Sequence, residues 1–258
     1  MRIATWNVNS VRTREGHVRR FLERAQPDLL LMQEIKCEVS QFPALAFETL
    51  GYRAAIVGQK SYNGVAILSR VPFVVSCERL DGLEEAVPQA RYIEVRAGGI
   101  RVGNLYLPNG NSGGADGYEA KLRWMDRLTE RAEMLLADDE PLVLAGDYNV
   151  CPEDVDFAPG TLPANDALVR PETRARFRTL MYAGMTDALR ALKPSGPAYT
   201  FWDYQAGCWP RDRGLRIDHA LLSAELAERL VSCTVDRAPR AEEQPSDHTP
   251  LVIELAAA

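Results

Sequence analysis

Pro141-Leu142-Val143-Leu144-Ala145-Gly146-Asp147-Tyr148-Asn149 is the stretch that decides how this chain is read. The apolar run 141–145 predicts a short buried strand, which turns abruptly polar at Gly146, Asp147 and Asn149. The same arrangement recurs along the sequence. Ile3, Thr5, Asn7 and Asn9 alternate with Ala4, Trp6 and Val8, a period of two that predicts a strand with amides at its end. Asp28-Leu29-Leu30-Leu31-Met32-Gln33-Glu34 predicts a buried strand ending in two polar residues, and Pro245-Ser246-Asp247-His248-Thr249-Pro250 sets an acid and an imidazole just before a last strand over 251–254. Taken singly, each Asn or Asp has a simpler reading as a turn former. Four apolar strands bordered by Asn, Asp, Glu and His favour convergence into one oxygen-rich pocket holding one histidine.

Working outward, Val18, Phe21, Leu22 and Ala25 recur at helical spacing over 14–25, and Pro27 stops the run. Helices are also predicted over 118–137, where Leu122, Met125, Leu128 and Leu135 share a face, and over 172–183. Further strands are expected near 52–57, 64–68, 91–95, 101–105, 198–202, 216–222 and 231–235. Residues 151–172 have no period and are rich in Pro, Asp and Ala, which predicts a long functional loop. Strands and helices alternate irregularly, with no repeat and no Gly/Ser linker. The expectation is a single α/β domain over 1–258, with sheets packed on each other and helices outside.

Composition narrows the class. Hydrophobic residues make up 46% and charged residues 26% of the 258, ordinary globular usage that excludes a collagen-like, coiled-coil or largely disordered chain. No apolar stretch approaches the roughly 20 residues of a membrane helix, and no apolar leader follows Met1. Cys37, Cys77, Cys151, Cys208 and Cys233 are odd in number and lack a C-x-x-C, so reduced thiols in a cytoplasmic protein are expected. A net charge of −6 leans against nucleic acid. The argument is weak, because screening confines charge effects to about 8 Å and a divalent cation offsets an acidic site.

The pocket's donor set suits Mg²⁺, which takes carboxylates, waters and substrate oxygens. Zinc asks for more nitrogen or sulfur than His17, His219 and His248 supply. Asp218, in a predicted strand, wants a partner, either an imidazole N–H or Arg216 across an exposed face. Tyr106 precedes the Pro108-Asn109-Gly110 turn, where its phenol reaches a phosphate or packs in the core. Arg170, Arg174, Arg176 and Arg178 form one basic cluster. Arg211, Arg213 and Arg216 form another beside Trp209, and each reads as a DNA-backbone contact or as solvated surface charge.

Seven segments then fall in a familiar order: Trp6-Asn7-Val8-Asn9-Ser10-Val11-Arg12, Gln33-Glu34-Ile35-Lys36, Tyr62-Asn63-Gly64-Val65-Ala66-Ile67-Leu68-Ser69, Tyr106-Leu107-Pro108-Asn109-Gly110, Gly146-Asp147-Tyr148-Asn149, Arg216-Ile217-Asp218 and Ser246-Asp247-His248. In order and spacing they resemble the exonuclease III family of apurinic/apyrimidinic endonucleases, over essentially the whole chain. The resemblance implies a four-layered α/β sandwich of the DNase I-like type, two mixed sheets face to face and flanked by helices. It implies Mg²⁺- or Mn²⁺-dependent cleavage of double-stranded DNA 5′ to abasic sites, with 3′→5′ exonuclease and 3′-phosphatase or phosphodiesterase activity at 3′ ends. A monomer of the bacterial cytosol or nucleoid, with no membrane partner, is expected.

Carried over by position, Glu34 is the main metal ligand, with Asn7 and Asp247 close to the ion and Asp147 and Asn149 also near it. Asp147 positions or deprotonates the attacking water, helped by Asn149. His248, held by Asp218, contacts the phosphate, as does Tyr106. Asn109, Lys121, Phe201, Trp202 and Arg216 are expected at the substrate. Leu215 stands where some dedicated abasic-site relatives carry Trp, which changes one wall of the sugar pocket. Two alternatives stay open: a same-fold phosphoesterase on a non-DNA substrate, and a catalytically silent nucleic-acid-binding relative.

Overall fold

The computed structural model describes residues 1–83 and 89–257. Its elements are β1 (Arg2–Asn7), α1 (Glu15–Ala25), β2 (Leu29–Gln33), α2 (Ala44–Glu48), β3 (Arg53–Val57), β4 (Val65–Ser69), β5 (Phe73–Cys77), β6 (Tyr92–Ala97), β7 (Ile100–Tyr106), α3 (Gly114–Ala137), β8 (Leu142–Asp147), α4 (Pro171–Tyr182), β9 (Thr186–Asp187), α5 (Ala188–Leu192), β10 (Asp218–Leu222), α6 (Ala224–Glu228), β11 (Leu230–Val235) and β12 (Leu251–Leu255). The strands form two six-stranded sheets, ordered β11-β12-β1-β2-β4-β3 and β5-β6-β7-β8-β10-β9. Both are mixed: β1 runs parallel to β2 and antiparallel to β12, and β8 runs parallel to β7 and antiparallel to β10.

The period of two assigns the faces. Ile3, Leu29, Leu31 and Ile67 of the first sheet meet Val95, Val102 and Val143 of the second in a shared core. Their alternates Ala4, Trp6, Leu30 and Met32 pack outward beneath Phe21 and Leu22 of α1. On the second sheet Leu105, Leu142 and Leu144 pack outward beneath Trp124, Met125 and Leu128 of α3 and Phe177 of α4. The result is the expected helix–sheet–sheet–helix layering, with each fully buried aliphatic side chain worth about 1.5–3 kcal/mol.

One polar crosslink interrupts the core between the sheets. Gln33 Nε2 donates to Thr5 Oγ1 (2.9 Å) and to Asn104 Oδ1 (2.7 Å), while Asn104 Nδ2 donates to the Met32 and Ala66 carbonyls, both at 2.9 Å. Directional bonds in a non-directional apolar core set how one sheet lies on the other. They do so directly beneath the edge where Asn7, Glu34, Tyr106 and Asp147 emerge.

Several expectations shift. The strand expected over 198–202 reduces to isolated bridges from Phe201 to Leu215 and His248, because this segment crosses the sheet edge instead of joining a sheet. The strand expected from 216 begins at Asp218. The long helix starts earlier, at Gly114, and the loop 151–172 contains a 3-10 turn over Asp154–Asp156 before α4. The exposed edge strand β5 and the short elements α2, α5, α6 and β9 carried no periodic signal.

Candidate active site

The polar strand ends do converge. In register, Asn7 lies beside Gln33, Tyr106 beside Asp147, and Asp218 beside Asp147. Because β10 and β12 run antiparallel to their neighbours, their first residues reach the edge where β1, β2, β7 and β8 end. Gly146 makes the close approach possible: a Cβ there would sit 2.0 Å from the Leu105 carbonyl oxygen of the adjacent strand. Glu34 and Asn149 follow their strands with left-handed φ of 49° each, which turns both side chains sharply at the sheet edge.

Asn7 Nδ2 joins two carboxylates, donating to Glu34 Oε1 (2.8 Å) and Asp147 Oδ2 (3.0 Å), and its oxygen accepts the Asn9 N–H. It thus presents its amide nitrogen to the acids, and so spaces and orients Glu34 and Asp147. Asn9 donates to Asp247 Oδ1 (3.1 Å) and accepts from Lys36 Nζ, which also pairs with Glu34 Oε2 at 2.8 Å. Asp147 Oδ1 accepts the Asn149 N–H, and Asn149 in turn donates to the Leu107 carbonyl and accepts from Asn109 Nδ2, each at 2.9 Å. His248 Nδ1 meets Asp218 Oδ2 at 2.9 Å while its Nε2 faces Asp147 Oδ2 at 3.7 Å. Of the two partners open to Asp218 in the sequence, the imidazole is the one it takes. Ser246 Oγ, donating to the Asn7 carbonyl, ties the Asp247–His248 turn to β1.

Electrostatics follow from burial. Burial opposes the His248 charge, but Asp218 and Asp147 outweigh it and raise the imidazole to about 10, so it is a cation at neutral pH. Burial pushes Asp147 up to about 7, opposed by His248 and reinforced by Asp218 and Glu34. Burial also opposes ionisation of Glu34, yet Lys36 and the Asn7 amide hold it below the usual carboxylate range. Burial, then Glu34 and Asp147, drive the Tyr106 phenol well above its ordinary value, leaving it a donor.

The donor set fits a hard divalent cation. Four carboxylates, Glu34, Asp147, Asp218 and Asp247, face one imidazolium and one lysine, an excess of two negative charges when all are ionised. Asp218 Oδ1 is buried without a hydrogen-bond partner among the described residues. Asp147, Asp218 and His248 bring ligand atoms within 4.8 Å of one another, a candidate acidic/His metal cluster.

Above these groups opens a cleft of about 500 Å³. Its floor is polar, with Glu34, Tyr106, Asp147, Asn149, Asp247 and His248, and Leu168, Phe201 and Leu215 give one apolar wall. Phe201 stands edge-on to His248, with ring centroids 4.9 Å apart. Asn109 lines the cleft. Asn111 and Asp166 do too, bonded to each other at 3.2 Å; sequence reasoning missed both, since nothing periodic marks a loop-to-loop contact.

Three of the residues expected at the substrate are not brought to it. Trp202 is fully buried, with its indole N–H on Asp212 Oδ1 (3.0 Å), and backs the wall instead of lining it. Lys121 is buried beneath the floor, its ammonium donating to the Asn109 and Asn149 carbonyls (2.9 and 2.6 Å), so it braces two loops; burial lowers it to about 7. Arg216 is buried with its guanidinium on both oxygens of Asp156, on Asp187 Oδ2 and on His219 Nδ1. The basic clusters are also largely committed within the protein: Arg174 to Asp154, Arg176 to Asp126, and Arg170 over the Tyr118 ring. Arg213 lines the cleft and donates to the Gly160 carbonyl.

His219 carries a stability prediction. Burial, then the Arg216 charge, lower it to about 4, below the value near 6.5 of an unfolded chain. The unfolded state therefore takes up the proton first as pH falls. Stability is expected to drop by about 3 kcal/mol between pH 6.5 and 4, and to be independent of this group above 6.5. Urea unfolding at pH 7 and 4.5 checks it: His219→Gln should remove most of its share of the acid-induced loss, and an undiminished loss would refute the assignment.

Two mixed sheets packed face to face, with an Asn–Glu–Asp–His cluster at one edge, define a DNase I-like architecture built for hydrolytic chemistry. Residues 4–248 match the model of the Endonuclease/Exonuclease/phosphatase family. The chain is 33% identical to exodeoxyribonuclease III of Haemophilus influenzae, covering 99% of this chain and all of that one. Among solved structures it is similar to an AP endonuclease from Archaeoglobus fulgidus (TM-score 0.94, 36% identity) and to a 3′-5′ exonuclease from Neisseria meningitidis (TM-score 0.93, 37% identity), each covering the whole of both chains. The chain belongs to the endonuclease/exonuclease/phosphatase family, within its exonuclease III/AP endonuclease branch, and is a phosphodiester hydrolase of that type. Among the described residues no helix is long and apolar enough to cross a membrane.

Proposed function

We propose that the protein is a Mg²⁺- or Mn²⁺-dependent DNA repair nuclease that cuts double-stranded DNA 5′ to abasic sites and also acts at 3′ ends as exonuclease and 3′-phosphatase or phosphodiesterase. The observation that carries this reading is the Asp218–His248–Asp147–Asn7–Glu34 chain of contacts at the floor of a cleft with an apolar wall. Relatives named as AP endonuclease and as 3′-5′ exonuclease, alike over their whole length, support the substrate class.

In this reading Glu34, Asp247 and Asp147 would hold the ion, with the Asn149 side chain beside them. An ion held there would supply positive charge against the negative charge that develops on the phosphoryl oxygens and on the leaving 3′-oxygen. The protein's own residues do the rest. Asp147, a buried acceptor, takes a proton from the attacking water at Oδ2. His248 stays cationic against Asp218 and donates from Nε2 to a non-bridging phosphate oxygen. The Tyr106 phenol donates beside it, and the second amide hydrogens of Asn149 and Asn109 remain for the phosphate. Phe201 and Leu215 offer an apolar wall to the base-less sugar, so specificity rests on what the wall excludes.

The test is cleavage of a 5′-labelled duplex carrying one tetrahydrofuran abasic analogue, with Mg²⁺ and with EDTA. A single metal-dependent cut 5′ to the analogue is expected. Glu34→Gln should raise the Mg²⁺ concentration for half-maximal activity by about 10- to 100-fold, as for loss of a charged ligand or its support. A Mg²⁺ requirement unchanged in that variant would remove Glu34 from the ion.

A further inference from the structure

We propose that His219 is a positioning residue for this reaction: it pins the Tyr148-Asn149-Val150 segment that carries Asn149 and directly follows Asp147. The proposal rests on the function proposed above. His219 follows Asp218 on β10, in register with Gly146, and points to the opposite face of the sheet from the cleft. No step assigned above uses it.

The hydrogen bonds determine which ring nitrogen holds the proton. Arg216 Nη1 lies 3.0 Å from His219 Nδ1, and a guanidinium only donates, so Nδ1 is the acceptor. Nε2 then carries the hydrogen and donates to the Val150 carbonyl at 2.9 Å. Arg216 cannot swing away, since Asp156 and Asp187 hold it and Arg190 holds Asp156 in turn. The imidazole is fully buried between Tyr148 and Phe177, with ring centroids at 5.4 and 4.9 Å. The segment it grips needs holding. Asn149 has a left-handed backbone that costs a non-glycine residue energy. Besides the Tyr148 N–H on Ile217 and the side-chain bonds of Asn149, three bonds restrain the main chain of Asn149 and Val150: the Asn149 N–H to Asp147, the Asn149 carbonyl to Lys121, and the Val150 carbonyl to His219. The first comes from a group facing the site and the second from a lysine buried beneath its floor. The third reaches it from the far side of the sheet, through an ion network with no access to substrate.

Two amide substitutions separate this role from simple core filling. The amide of His219→Gln reaches the place of Nε2 and keeps the bond to Val150. That of His219→Asn reaches only the place of Nδ1 and keeps the bond to Arg216. On the abasic-analogue duplex with saturating Mg²⁺, H219Q should keep kcat within about threefold, while H219N loses about 10- to 100-fold in kcat at nearly unchanged KM. Hydrogen exchange of the peptide 146–152 reads the same contact without turnover, and should be about tenfold faster in H219N than in H219Q. Equal kcat and equal exchange in the two variants, whether both normal or both impaired, overturn the proposal. A wild-type protein that fails to cut overturns the proposed function, while the exchange comparison still decides whether His219 holds the segment.

Discussion

Asp147→Asn is expected to lower kcat on an abasic-site duplex by about 10³-fold, within the range for a lost general base, with KM little changed. The side chain keeps its shape, so Oδ1 can still accept the Asn149 N–H. What changes is Oδ2: an amide nitrogen there would face the Asn7 Nδ2 donor at 3.0 Å and could accept no proton. Stability should move the other way. Burial raises Asp147 above the ordinary carboxylate value near 3.8, so ionising it disfavours the fold. A group raised on folding adds stability below its unfolded value and loses it as pH rises through about 7. At pH 8, without metal, D147N should therefore melt no lower than wild type. Near-normal turnover in this variant would give the proton to His248 instead.

His248→Ala should cost about 10²- to 10³-fold in kcat, the usual effect of removing a donor aimed at developing charge. It should also destabilise the protein by roughly 3–5 kcal/mol, because it leaves Asp218 and Asp147 buried without their cation. Adding Asp218→Asn removes one of those stranded charges. The double variant should recover much of the stability and none of the activity, a split that thermal melts and single-turnover cleavage would read together. The pH dependence carries a definite sign. The imidazole is raised to about 10 in the fold, so its contribution is complete below pH 6.5 and is lost as pH climbs through 10. Wild type should weaken over that window and the double variant much less. Parallel loss in both would show that another group titrates there.

Both variants act on residues whose types and order were readable before any coordinates. Asp147, His248 and Glu34 stand at the ends of apolar strands, and a strand end is where a polar side chain leaves a buried sheet. Asp218 was legible from its strand as a carboxylate in need of a partner, and the family resemblance named His248, which the structure places 2.9 Å away. The residues around them were less legible. Trp202 and Phe201 are neighbours in an aromatic pair, and alternation sends one into the cleft and the other behind it. Arg216 precedes the Asp218 strand among other arginines and looks like a phosphate contact until Asp156, from a loop sixty residues earlier, is placed against it.

Local chemistry alone thus determined the layers and the polar edge. A period of two assigns strand faces, a period of 3.6 assigns helix faces, and a strand that ends in acid or amide announces where it meets water or an ion. Only the tertiary structure decided which amide spaces two acids, which lysine braces a loop, and which histidine is charged and which neutral. His248 lies between two carboxylates and His219 beside a guanidinium, so the same side chain is driven up in one place and down in the other. The sign of each shift belongs to charges brought near by folding from distant parts of the chain.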